Sequence, residues 1–242
     1  MFFDWALLSA CAGAVCGCPG FLDPLGPVPV TAAARHAGAR PRVGPGRHFG
    51  VPGPRVRRRS RRGGWWIAAE EAAAVFAEAG VGDRVEAVRA LAHALPFEAG
   101  SFDAIVSVDA FEYFGTADRY LPYLVRFLRP GGQLGFATPA MIREVRELGV
   151  IPPHIKKVVG WEAIAWHTAR WWRFQWEVTE LVTVTSARLQ QDGRRDWLLW
   201  ARACAAHRPD DLAHRPVIDM LTADGGDFLG FALVTARKNG GM

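Results

Sequence analysis

The stretch from Ser101 to Pro139, SFDAIVSVDAFEYFGTADRYLPYLVRFLRPGGQLGFATP, leaves the chain few ways to fold. Residues 102–108 form a short apolar run rich in β-branched side chains and closed by Asp109, the pattern of a strand buried on both faces of a parallel sheet. Residues 117–128 carry Tyr120, Leu121, Leu124, Phe127 and Leu128 at helical spacing. Arg129-Pro130-Gly131-Gly132 then ends the helix, because Pro cannot continue it and Gly accepts a reversed backbone. Residues 133–138 predict a second buried strand. Strand, helix and strand make one βαβ unit with a right-handed crossover, so the fold class is α/β.

At 242 residues the chain has the length of one α/β domain with a substantial core. It has no run of eighteen apolar residues, which argues against a spanning helix and a membrane partner. The formal charge is +5, but the excess is local. Residues 1–64 hold ten Arg against two Asp, a net +8, while the remainder holds nineteen basic and twenty-two acidic residues, a net −3. A basic balance points to nucleic acid only where it is concentrated, so that reading attaches to residues 1–64 alone.

That first quarter contains eight of the sixteen prolines and eleven of the twenty-six glycines, with no sustained period of two or 3.6. The run from Arg55 to Arg62 repels itself unless solvated or paired with an anion. Residues 1–64 therefore read as an irregular Arg/Pro/Gly-rich segment, a candidate for disorder, and residues 65–242 as the folded domain. Cys11, Cys16 and Cys18 lie in the first segment and Cys204 stands alone. Cys16-Gly17-Cys18 has no second ligand pair at zinc spacing, so no metal site is expected. Free thiols fit a reducing cytoplasm. Leu8-Ser9-Ala10-Cys11 superficially resembles a lipoprotein cleavage box, but what precedes it is short, has no Lys or Arg and carries Asp4.

From Trp65 onward the text is orderly. Residues 67–79 read as a helix closed by Gly80, residues 85–88 as a strand, and residues 142–158 as an irregular insertion containing Pro152-Pro153. Residues 161–176 read as an aromatic amphipathic helix with Trp161, Trp166, Trp171, Trp172, Phe174 and Trp176. Residues 181–189 and 228–238 read as strands forming a closing antiparallel hairpin, with helices between them and a turn at residues 224–227. The tryptophans suit a core better than a pocket wall for a planar or cationic ligand. His167 suits a capping role better than a base.

Leu95-Pro96-Phe97 with Ser101-Phe102-Asp103, followed by Leu128-Arg129-Pro130-Gly131-Gly132, resembles the middle of a class I S-adenosylmethionine-dependent methyltransferase of the type 11 kind. The resemblance covers about Trp65 to Lys238 and implies a Rossmann-like, mostly parallel seven-stranded sheet with an antiparallel last strand. It implies S-adenosyl-L-methionine as cofactor and a small molecule as methyl acceptor. By position it places Asp109, Glu112 and Tyr113 at the chemistry, Asp109 also facing the cofactor, and Ala92 and His93 beside the adenine, where Leu91 replaces the usual acid. It also puts the first strand, glycine loop and second strand within residues 1–64, whose composition denies them. Gly44-Pro45-Gly46 is only an echo of the glycine loop, leaving Gly44, Gly46, Trp65 and Trp66 as the cofactor-side candidates and Gly64 where a ribose-binding acid is usual.

An out-of-frame reading of a GC-rich gene accounts for the Arg/Pro/Gly/Ala bias and for this degraded cofactor region; sequencing the locus tests that hypothesis. A natural low-complexity tail is the alternative. Three functions stay open on the sequence: a small-molecule methyltransferase, a remnant of that fold with impaired cofactor binding, and a basic nucleic-acid module built on residues 55–62. The last lacks aromatic interleaving and ranks lowest. The methyl acceptor and the oligomeric state are not legible.

Overall fold

The computed structural model describes residues 69–78, 80, 85, 88, 90–207 and 212–240. Helix α1 spans Ala69–Glu78, and the amide of Gly80 bonds back to the Ala77 carbonyl at 3.0 Å, its φ of +68° closing the turn. Half of the strand expected at residues 85–88 falls outside the described residues, and Val85 and Val88 are not in strand.

The βαβ unit forms as the punctuation dictates. β1 spans Phe102–Val108, α2 spans Tyr120–Val125 and β2 spans Leu128–Met141, with β1 and β2 parallel. The helix is shorter than its apolar spacing suggested, because Leu128 is already in strand, opposite Phe102. Arg129 to Gly132 are not a separate turn but a bulge within β2: the register steps from Phe102↔Leu128 to Ala104↔Gln133. Gly131 takes φ +72°, and a Cβ on Gly132 would lie 2.9 Å from the Arg129 carbonyl oxygen, so the bulge needs its glycines. β1 is not buried throughout as expected: Phe102 at its start is 4% exposed, but Val106 on the same face is 39% exposed and Ile105 is only half-buried.

Beyond β2 the irregular insertion contains two short helices, α3 (Val145–Leu148) and α4 (Pro153–Val159). The single helix expected over residues 161–176 is two pieces, a 3-10 segment at Gly160–Ala165 and α5 at Ala169–Glu177. The break has a cause: the Trp166 carbonyl accepts from the Met141 amide at 2.9 Å, and Thr168 Oγ1 caps α5 by accepting from the Trp171 amide at 3.1 Å.

β3 (Val182–Leu189) and β4 (Leu229–Lys238) pair antiparallel but do not form a hairpin, since α6 (Gly193–His207) and α7 (His214–Asp224) intervene. The turn at residues 224–227 instead ends α7, with Gly225 left-handed. Among the described residues the sheet is four-stranded, in the order β1-β2-β4-β3. β1, β2 and β3 run one way and β4 runs against them, so the antiparallel last strand of the expectation is present. Two more of the expected seven strands fall on residues outside the described ones, and the third, at residues 85–88, is not in strand where it is described.

One core lies where α2 and α5 meet the sheet: Phe111, Leu124, Phe136, Trp172, Trp176 and Val234 are buried there. Trp172 and Trp176 approach Phe136 at 4.9 and 5.1 Å between ring centroids, so these tryptophans build the core rather than a pocket wall. A second cluster gathers Met141, Ile155, Trp166, Met220 and Leu221 beneath α4, α6 and α7.

Candidate functional site

The carboxyl end of β1 lies beside β2, with Val108 opposite Ala137 and β2 running on to Met141. This is the end of an open α/β sheet at which ligands bind. Asp109 follows β1 with φ +51°, a left-handed backbone that a non-glycine residue adopts only under constraint, while its amide donates to the Ala137 carbonyl at 2.8 Å. That reversal sends the chain into a 3-10 turn, Phe111–Tyr113, which folds back over β2. Gly115 makes the return possible: a Cβ there would lie 2.1 Å from the Phe111 ring.

Glu112 is thereby driven inward and is 1% exposed. Its Oε2 accepts from the hydroxyl of Thr138, the residue after Ala137, and its Oε1 has no hydrogen-bond partner in the structure. Burial, and then the negative charge of Asp109, push its carboxyl well above the ordinary range. Tyr113 is half-buried beside it, and its hydroxyl meets Glu162 of the 3-10 segment preceding Trp166. Burial, then the charges of Glu112 and Glu162, raise the phenol above its usual value. Glu162 is raised by burial, opposed by the hydrogen bond from Tyr113 and reinforced by Asp109, and its Oε1 is also unpartnered.

The structure thus brings Asp109, Glu112 and Tyr113 together and adds Glu162 and Thr138. Sequence reasoning missed both additions. Thr138 had a readable signal, since the parallel pairing of the two strands sets this residue of the second beside the segment that follows the first. Glu162 had none beyond being an acid within an aromatic run.

The other candidates do not join this group. His93 is exposed in the turn closed by the Leu91–Ala94 bridge, and the buried Ala92 offers its carbonyl to the Tyr120 hydroxyl at 3.1 Å. Gly44, Gly46, Trp65 and Trp66 lie outside the described residues, as do residues 55–62. His167 lies apart from this group, its Nδ1 2.9 Å from Glu144 and its ring stacked on Trp171 at 3.6 Å. Among the described residues no group of three or more His, Cys, Asp or Glu is arranged to hold a metal ion, and no helix is long and apolar enough to cross a membrane.

Comparison with known proteins agrees with this architecture. A family described as "Methyltransferase domain" matches residues 67–136. A phthiotriol/phenolphthiotriol dimycocerosates methyltransferase of Mycobacterium leprae is 42% identical over 53 residues, which are 22% of this chain and 20% of that protein. Geranyl diphosphate C-methyltransferase from Streptomyces coelicolor A3(2), solved with Mg2+, geranyl diphosphate and S-adenosyl-L-homocysteine, superposes with a TM-score of 0.52 at 16% identity, covering 70% of this chain and 60% of that one. The cyclase SpnF superposes at 0.50 with 21% identity, covering 72% and 64%. The chain therefore spans a fifth of the curated relative and less than two thirds of these structures. Residues 67–136 thus match the methyltransferase-domain family, and the chain shares the fold of geranyl diphosphate methyltransferases solved with S-adenosylmethionine or S-adenosylhomocysteine.

Proposed function

We propose that this protein transfers a methyl group from S-adenosyl-L-methionine to a small-molecule acceptor at the carboxyl end of β1, beside β2. One observation carries the reading: Asp109, Glu112, Tyr113 and Glu162 converge at the carboxyl end of β1, beside its parallel neighbour, where this fold presents ligands. The cofactor's charge suits that donor set, because a sulfonium is cationic and these side chains are acidic. When bound, it supplies a methyl group already activated toward a nucleophile.

The rest falls to the protein. Asp109, turned out of β1 by its left-handed backbone, would face the cofactor, and His93 would stand on the adenine side. Glu112 and Tyr113 line the acceptor's place, with Thr138 fixing one Glu112 oxygen. A carboxyl whose proton affinity burial has raised suits receiving a proton from an acceptor hydroxyl or amine. Positioning two reactants and excluding water supplies most of what such a transfer needs.

The test is calorimetric titration of the full chain with S-adenosylhomocysteine, followed by a radiolabelled methyl-transfer screen over small acceptors. Micromolar binding supports the enzyme. The composition of residues 1–64, which denies a strand and glycine loop, favours a second reading, a methyltransferase fold with impaired cofactor binding. Calorimetric silence supports that one. A role for residues 55–62 on nucleic acid predicts steeply salt-dependent duplex binding that deletion of the run abolishes.

A further inference from the structure

Helix α5 carries its charges the wrong way round for a helix standing alone. Arg170 lies in its first turn and Glu177 is its last residue; the first turn holds no acid and the last no base. The helix dipole favours the reverse, acids at the amino end and bases at the carboxyl end. Helical spacing sets Arg170, Phe174, Glu177 and Val178 on one face, opposite the buried Trp172 and Trp176. All four are exposed, Phe174 at 65% and Val178 at 61%. Among the described residues Arg170 has no ion-pair partner, and Glu177 gives only Oε1 to Arg173, at 2.8 Å. A sequence that departs from a local rule at both ends of one exposed face has a reason outside the helix.

We propose that this face is the contact of a two-fold symmetric dimer, in which α5 packs antiparallel against α5 of a second copy of the chain, centred on Phe174. Phe174 lies near the midpoint between Arg170 and Glu177. A two-fold axis there sets Arg170 against Glu177 of the second copy, and symmetry supplies the reverse pair. Each arginine then stands at the carboxyl end of the facing helix and each glutamate at its amino end, where that helix's dipole favours it. Phe174 and Val178 of both copies form the apolar centre. The pattern selects a second copy over an unrelated protein because it complements itself: base, aromatic, acid in one direction meets acid, aromatic, base in the other. A contact centred on one short helix belongs at the weak end of interfaces, with micromolar affinity. The proposal is independent of the methyl-transfer reading.

Sedimentation equilibrium of the full chain is the experiment, and a monomer–dimer equilibrium in the micromolar range is expected. Arg170→Glu and Glu177→Arg each set like charges across the two-fold, and each is expected to weaken the dimer roughly ten- to a hundredfold. An equimolar mixture of these two variants is expected to restore it, because the two changes complement each other only between unlike chains. Phe174→Ala is expected to weaken the dimer by a similar factor. Thermal melts followed by circular dichroism establish that each variant folds, and recovery in the mixture excludes a misfolded chain directly. A chain that stays monomeric at submillimolar concentration overturns the inference. So does a dimer that the single charge changes leave intact, which places the contact elsewhere, and so does failure of the mixture to restore it. Should Glu177→Arg not fold, Phe174→Ala decides alone, and an unchanged dimer then overturns the proposal.

Discussion

Glu112 and Glu144 are the same residue, both almost removed from water at 1% and 7% exposure, yet their carboxyls titrate in opposite directions. Glu144 is fully supplied. Its Oε1 accepts from the Thr168 amide at 2.9 Å and the Thr168 hydroxyl at 2.7 Å, and its Oε2 lies 2.9 Å from His167 Nδ1. Burial alone pushes it up, but these bonds prevail and hold it at about 2. Glu112 receives the Thr138 hydroxyl and a hydrogen bond from its own backbone, and burial with the charge of Asp109 outweighs both. Donor supply, not depth, separates a carboxylate that fastens the chain from one that waits for a ligand.

The largest effect is expected from Glu144→Ala, which orphans donors on His167 and Thr168 at the entry to α5. Denaturant melts should show a loss of about 3 kcal/mol. A loss below about 1 kcal/mol would mean that the clip is not structural.

The pH slopes come next, and their signs oppose. Glu144 is lowered in the folded state, so between about pH 2 and its ordinary value the unfolded chain binds the extra proton and stability rises with pH. Glu112 is raised, so the folded chain holds the extra proton and stability falls as pH climbs above the ordinary carboxylate range. Each group contributes at most about 1.4 kcal/mol per pH unit. Glu112→Gln should flatten the upper fall and leave the acid limb untouched. Glu144→Gln should do the reverse.

Thr168→Ala removes the cap of α5 and one of the three Glu144 donors, for an expected loss of about 1–2 kcal/mol by thermal melt. Smallest is Arg173→Ala. Its 2.8 Å pair with Glu177 is 40% and 46% exposed, and about 0.3–0.5 kcal/mol is expected, lost in high salt. That pair sets the scale of a carboxylate for which water does most of the work.

What the sequence made legible follows the same division. β1, β2 and β4 were readable because alternation, β-branching and the Pro-Gly-Gly break are local signals. Asp109, Glu112 and Tyr113 could be singled out because a strand's end is itself readable, although their roles remain the proposal made above. Glu162 was not readable, since it reaches Tyr113 across some fifty residues by tertiary packing alone. The break before α5 was hidden for the same reason: a helical period over 161–176 cannot disclose that Met141 claims the Trp166 carbonyl. The Glu144 clip escaped notice because nothing in Arg143-Glu144-Val145 announces a partner at His167-Thr168.

The placement of β4 between β2 and β3 bears on how the protein is made. A ribosome delivers β2 and β3 well before Leu229, and until then neither possesses the neighbour that completes its ladder. Nascent chains stalled in that interval expose two bare edges, the kind of surface that chaperones shield and that aggregation exploits. Completing this sheet is a long-range search, with the latest of the four described strands acting as keystone.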